Sequence, residues 1–183
     1  MEYFDVYNKY GEKTHEIIER RAAHSNGICH RVIHLWILNQ NNELLLQQRG
    51  ANIAGANFWY VSVAGHIESA ESIESTLIRE THEELGLDIS HLTDSIVYLY
   101  TFKELINEND GKYMDNEFYD VFVLKSDFDI SQIILQTDEV QAVKYVKYDD
   151  FKNMVNNQDK SLWQHKVAYK MLMSALDDFI NLQ

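Results

Sequence analysis

The sequence predicts one α/β domain in which a mixed β-sheet lies between helical layers. Three observations carry this. Short apolar runs rich in strand formers recur along the chain, an acid-rich stretch at 72–85 switches to helical periodicity, and an amphipathic helix closes the C-terminus. The length of 183 residues suits a single domain with a small extension, and 45% apolar residues suffice for a real core.

Taken in order, residues 2–24 read as a strand at Tyr3–Tyr7, a turn at Asn8-Lys9-Tyr10-Gly11 and an extended piece through Ile18. Residues 1–27 are thus expected to form an N-terminal hairpin extension, with 28–183 as the main domain. ICHRVIHLWIL (28–38) and ELLLQQ (43–48) form a strand pair separated by Asn39-Gln40-Asn41-Asn42, a hairpin signal. FWYVSVA (58–64) reads as another strand, ending at Gly65. Further strands are expected near 95–104, 117–125 and 140–148, then a short helix from about Asp149. The last helix is predicted from Ser161, as its N-cap, to Leu182, with a packing stripe of Leu162, Ala168, Met171, Leu172, Ala175, Leu176 and Phe179. That stripe suits the core or, alternatively, a homodimer interface. Proline is absent, so turns rest on Gly, Asn, Asp and Ser.

Composition excludes several function classes. A net charge of −13 repels a nucleic-acid backbone, so no polynucleotide partner is expected, although a divalent metal can invert the local field for a small phosphorylated substrate. The longest apolar runs are a few residues, such as Ile33–Leu38 interrupted by His34, so neither a membrane span nor a secretory leader is predicted. The single cysteine, Cys29, fits a reducing, cytoplasmic compartment and a core position.

The chemistry is concentrated in Gly65–Leu87, GHIESAESIESTLIRETHEELGL. At about 100° per residue, Glu80, Glu83 and Glu84 fall within one arc of a helix, while Leu77, Ile78, Thr81 and Leu85 occupy an adjacent, core-facing arc. Three converging carboxylates repel one another unless a cation neutralises them, and hard oxygen ligands suit Mg²⁺ or Mn²⁺. Arg79 is positioned to pair bidentately with Glu71 and hold the carboxylates in register. Gly65 and Gly86 mark a strand exit and a helix C-terminus. The bland alternative is a solvated acidic helix, which the spacing of seven charged and glycine positions opposes.

These residues resemble the Nudix, or MutT-like, signature: Gly65, Glu71, Arg79-Glu80, Glu83-Glu84 and Gly86-Leu87, with Thr81 standing where a bulky aliphatic is usual. The resemblance implies a Nudix fold and pyrophosphatase activity on a nucleoside diphosphate derivative or related organic pyrophosphate. It also implies that Glu80, Glu83 and Glu84 serve as metal ligands or base, with the Gly65 carbonyl a further ligand. A wider likeness, over HSNGICHRVIHLWILN (24–39), LLLQQR (44–49), FWYVSVAGH (58–66) and DNEFYDVFVL (115–124), is to type I isopentenyl-diphosphate isomerases and their hydrolase-like relatives. Where those isomerases carry a proton-transferring cysteine this chain has Ala64, which has no ionisable proton and favours hydrolysis. The same likeness implies a second metal site at His24, His30, His66, Asp115 and Glu117. Read by themselves, His30 and His66 are equally core histidines bonded to backbone, and Asp115 and Glu117 loop acids. Glu117 is also a candidate to orient water. Arg49 and Arg31 are candidates for phosphate and Trp59 for stacking, with Phe58, Tyr100 and Lys103 behind them. Two rival functions remain: double-bond isomerisation, and nucleotide binding by a non-catalytic regulatory module.

Overall fold

In a computed structural model, residues 1–51, 55–108, 113–163 and 165–182 are described. Strands β1 (Tyr3–Tyr7) and β2 (Lys13–Glu19) form the expected antiparallel hairpin. A helix the sequence reading did not anticipate, α1 (Arg20–Asn26), follows directly. The Glu19 carboxylate accepts from the Ala22 amide at its start, and Gly27 closes it at φ 61°.

The main sheet is organised on β3 (His30–Leu38), in which every residue but Arg31 is buried. It pairs in parallel with β8 (Tyr113–Lys125), from His30 opposite Glu117 to Leu38 opposite Lys125. It pairs antiparallel with β4 (Glu43–Arg49) at Ile37–Leu38, and with β6 (Val63–His66) over Val32–Leu35. Strands β5 (Trp59–Tyr60) and β9 (Val140–Lys147) add to β4, and β7 (Ile96–Glu108) adds to β8.

The single strand predicted at 58–64 is broken in two. The Ser62 hydroxyl accepts from the Ile37 amide at 2.8 Å and donates to the Leu45 carbonyl at 2.5 Å. A side chain thereby takes over backbone bonds at the point where the chain leaves β4 for β3.

Alternation along β3 feeds two cores. Val32, Trp36 and Leu38 pack under Tyr148 and Phe151 of α3 (Tyr148–Asn156) and Tyr169, Leu172 and Leu176 of α4 (Lys166–Asn181). Ile33, Leu35 and Ile37 pack against Leu77 and Leu85 of α2 (Ile73–Leu85). Each fully buried aliphatic contributes about 2 kcal/mol. The predicted helix–sheet–helix layering is therefore present.

The start of α4 is a correction. Ser161 is not its N-cap; its amide bonds Asp159, and its carbonyl accepts from the Trp59 amide at 2.7 Å. Residues 161–163 run extended beside β5, so the helix begins at Lys166 with His165 as its cap. Gln164, within the predicted helix, lies outside the described residues. No helix among the described residues is long and apolar enough to cross a membrane.

Candidate functional site

The carboxylate helix α2 starts at Ser72, whose side chain and that of Ser75 cap each other's backbone amides. It ends at Gly86, at φ 67°. Between these caps Glu80 and Glu84 turn toward β6 and are buried, whereas the Glu83 side chain remains 49% exposed. Gly65 is dictated by this approach, because a Cβ there would sit 1.9 Å from the Glu80 Cδ. The Glu84 Oε2 accepts from the Ala64 amide at 3.2 Å and from the Gln47 side chain at 3.3 Å.

Arg79 ties the assembly together. Its Nε and Nη2 donate to the two oxygens of Glu71 at 2.9 and 2.8 Å. Its Nη1 reaches Glu80 at 2.7 Å and Glu83 at 3.1 Å, and Nη2 also donates to the His66 carbonyl at 3.0 Å. The Glu71 pairing inferred from the spacing is present, and the loop before α2 is fixed to the helix by it.

Burial pushes the Glu80 carboxyl up to about 7 despite Arg79, and it pushes Glu84 well above the usual carboxylate range, with Glu80 adding to the effect. Two acids held this way gain from a nearby cation, which would offset the desolvation of their ionised forms. The donor set of this patch is all oxygen, which suits Mg²⁺ or Mn²⁺. Thr81 is fully buried on the core arc, and its hydroxyl is one of the unpartnered polar atoms among the described residues.

A second cluster forms where α1, β3, β6 and β8 meet. His30 Nε2 lies 3.1 Å, His66 Nε2 3.3 Å and His24 Nε2 3.8 Å from the same oxygen of Glu117. His24 Nε2 is also 3.4 Å from Asp115 Oδ1. One ligand atom from each of His24, His30, His66 and Glu117 falls within 4.8 Å of the others.

The tautomers follow from backbone bonds. The His24 and His30 Nδ1 atoms face the carbonyls of Arg20 at 3.0 Å and Ile28 at 2.8 Å, so each neutral ring donates there and presents an Nε2 lone pair to the cluster. Burial, with the neighbouring His66 and His30, brings His24 down to about 4, and burial lowers His66. Burial opposes ionisation of Glu117, yet a proton on the facing Nε2 of His30 or His66 holds it well below the usual range. With the rings neutral and protonated on Nδ1, lone pairs face the carboxylate instead. Imidazole lone pairs thus converge on a carboxylate, an arrangement that a cation satisfies. The Phe4 ring, from the N-terminal hairpin, stacks on both His30 and His66 with centroids 4.7 Å away.

The structure therefore assembles the Glu80/Glu83/Glu84 patch and the His24/His30/His66/Asp115/Glu117 group as two clusters, and Glu117 belongs to the second. Both readings of His30 apply at once: one ring nitrogen bonds backbone in the core while the other joins the cluster. The weaker candidates scatter. Arg31 is taken up by Asp120 through two contacts of 2.7 Å and lies between the rings of Tyr7 and Phe118. Arg49 is flanked by the rings of Tyr60 and Trp163 at 5.4 and 5.2 Å. Trp59 is covered by Lys144, 3.9 Å from its centroid, and Phe58 meets Trp163 edge-on. Tyr100 bonds the Ala168 carbonyl, Lys103 lies over Phe118, and Cys29 is buried. Sequence reasoning missed Gln47 and Phe4; one polar residue in a strand and one apolar residue in a hairpin give no signal of the partner they reach.

Comparison with known proteins shows the family and the fold. The NUDIX domain profile matches residues 29–166. Nudix hydrolase 3 of Arabidopsis thaliana is 35% identical over 162 residues, covering 86% of this chain but only 21% of its own length, so the chain spans about a fifth of that relative. An isopentenyl-diphosphate Delta-isomerase of Salmonella typhi is 28% identical over 175 residues, covering 91% of this chain and 87% of its own. A Deinococcus radiodurans protein of known crystal structure shares the fold with a TM-score of 0.69 at 21% identity, covering 93% of this chain and 97% of its own.

Proposed function

We propose that this chain, which belongs to the NUDIX domain family, is a pyrophosphohydrolase that cleaves the diphosphate bond of a nucleoside diphosphate derivative or related organic pyrophosphate. The observation that carries this reading is the pair of buried carboxylates, Glu80 and Glu84, locked against Gly65 and Ala64 by Arg79 and Gln47. A divalent cation held by Glu80, Glu83 and Glu84 with the Gly65 carbonyl would supply charge neutralisation of the diphosphate and activation of water.

The chain's own residues do the rest. Arg79, pinned by Glu71, keeps Glu80 and Glu83 on one side of the helix, and the Ala64 amide and Gln47 aim one oxygen of Glu84. A glutamate of this patch takes the proton of the attacking water, and Arg49 offers a cation to the phosphates beside Tyr60 and Trp163. The His24/His30/His66/Asp115/Glu117 cluster is a second metal centre whose mixed imidazole and carboxylate donors suit Mn²⁺ or Zn²⁺. Assaying phosphate or nucleotide release from a panel of nucleoside diphosphate derivatives with Mg²⁺, then with EDTA, tests the reading. Turnover unaffected by Glu83→Gln and Glu84→Gln together would sink it.

Double-bond isomerisation is the rival that the histidine cluster favours, because the isomerase likeness implied that ligand set. Ala64, half-buried in β6, offers no acid or base there. Clear conversion of isopentenyl diphosphate would reverse this preference.

A further inference from the structure

The aromatic walls beside Arg49 meet a buried polar chain that the mechanism above leaves unused. The Tyr60 hydroxyl lies 2.9 Å from His34 Nε2 and 3.2 Å from His165 Nε2. His165 Nδ1 continues the chain to Glu104 at 2.7 Å. Tyr60 on β5, His34 on β3 and His165 at the start of α4 are buried, and Glu104 on β7 is partly exposed.

The protons in this chain must be shared in one way. The His165 Nδ1–H donates to the Glu104 carboxylate. Burial pushes the Tyr60 hydroxyl well above its ordinary range, so it keeps its single proton, and burial with the neighbouring His165 brings His34 down to about 3. That one proton faces two Nε2 atoms, so Tyr60 donates to one ring and the other ring donates to its oxygen. One of His34 and His165 is therefore protonated on Nε2, unlike His24 and His30, whose Nδ1 protons go to backbone. Removing a member leaves a buried polar atom unpaired, so the chain fixes the hydroxyl end of Tyr60.

His165 also packs on both walls. Its ring stacks on Tyr60 with centroids 5.3 Å apart and on Trp163 at 6.0 Å. The Arg49 guanidinium lies 5.4 Å from the Tyr60 ring and 5.2 Å from that of Trp163, so the rings that His165 orders also set its place. An arginine already held in its binding geometry loses less entropy when an anion arrives.

We propose that Glu104 and His165 are positioning residues of a phosphate subsite, holding Tyr60 and Trp163 so that Arg49 is set to receive a diphosphate. This rests on the hydrolase reading, in which Arg49 meets the phosphates. A network that served the core alone would affect stability and leave binding untouched.

The test uses the full chain with Mg²⁺ and methylenediphosphonate, a diphosphate analogue that water does not cleave, titrated by calorimetry. Glu104→Ala and Tyr60→Phe should each weaken binding about tenfold, the size of one lost buried hydrogen bond. Glu104→Gln, which still accepts from His165, should stay within about threefold of the parent. Arg49→Ala should weaken binding further, and in that background Glu104→Ala and Tyr60→Phe should add almost nothing, because the network acts through Arg49. Against any nucleoside diphosphate derivative that the chain turns over, Glu104→Ala and Tyr60→Phe should raise KM with kcat little changed. The proposal is overturned if the analogue does not bind at millimolar concentration, if Glu104→Ala and Tyr60→Phe lower the unfolding temperature without changing affinity, or if their effects add in full to that of Arg49→Ala. Absence of turnover across the substrate panel, with the coupling to Arg49 intact, would overturn the hydrolase reading and leave the phosphate subsite standing, so the two fail separately.

Discussion

Glu80→Gln in the metal-free protein should make the chain more stable at pH 8, although it removes a residue that this fold holds in place with an arginine. The Glu80 carboxyl sits at about 7 in the folded chain, against an ordinary value of 4.5. The folded-state pKa is raised, so the contribution of Glu80 is fully present below about pH 4.5 and is lost as pH rises through about 7. A difference of about 2.5 units at 1.36 kcal/mol each is about 3 kcal/mol, discounted to about 2 kcal/mol because a glutamine accepts less strongly from Arg79 than a carboxylate does. For a chain of this length that corresponds to a rise in Tm of roughly 4–8 °C. The assay is urea unfolding in EDTA at pH 5, 6, 7 and 8 for both proteins. The parent curve should fall toward pH 8, and the Glu80→Gln curve should fall less, Glu84 still contributing. Excess Mg²⁺ should then stabilise the parent more than the variant and narrow or reverse the gap. Parallel curves across the whole range would refute the reasoning, because they would show that burial does not penalise the ionised Glu80.

Four further outcomes are expected. Gly65→Ala should lower kcat at least about tenfold and cost about 1–3 kcal/mol of stability, since its Cβ would lie 1.9 Å from the Glu80 Cδ; kinetics and urea unfolding check both. Thr81→Val, which replaces an unpartnered buried hydroxyl with a methyl, should add about 1 kcal/mol and raise Tm by about 2–4 °C in a thermal scan. Glu117→Gln should strip Mn²⁺ or Zn²⁺ from the histidine cluster, read as metal content after gel filtration, with the loss of at least about tenfold in affinity. Arg79→Lys, which keeps the charge but cannot bridge Glu71, Glu80, Glu83 and the His66 carbonyl together, should reduce kcat by about 10²-fold with little change in KM.

Much of the fold was legible because its elements obey local rules. The N-terminal hairpin, β3, β4, β9 and α2 follow alternation, helical periodicity, a capping serine and a terminal glycine. Two misreadings share one cause, a long-range bond that local pattern does not encode. Ser62 divides the strand at 58–64 by bonding Ile37 and Leu45, and Trp59 draws Ser161 into extended pairing that delays α4 to Lys166. Helix α1 was missed because Arg20–Asn26 is short and mostly exposed, so it shows no apolar stripe; its signals were Glu19 at the start and Gly27 at the end.

For the site, the Gly65–Leu87 spacing by itself determined the carboxylate helix, the Glu71–Arg79 pair and the need for glycine at the strand exit, because residues three, four and eight apart on one helix and its leading loop meet through local geometry. Only the tertiary structure decided the partners that come from elsewhere. Gln47 reaches Glu84 across 37 residues, and Glu117 meets His30 across 87 residues because β8 pairs in parallel with β3. A sequence sets which groups a chain owns and which face of its own element each occupies, whereas closure of long loops sets which of those groups share a dielectric environment, and hence which are buried, shifted or paired.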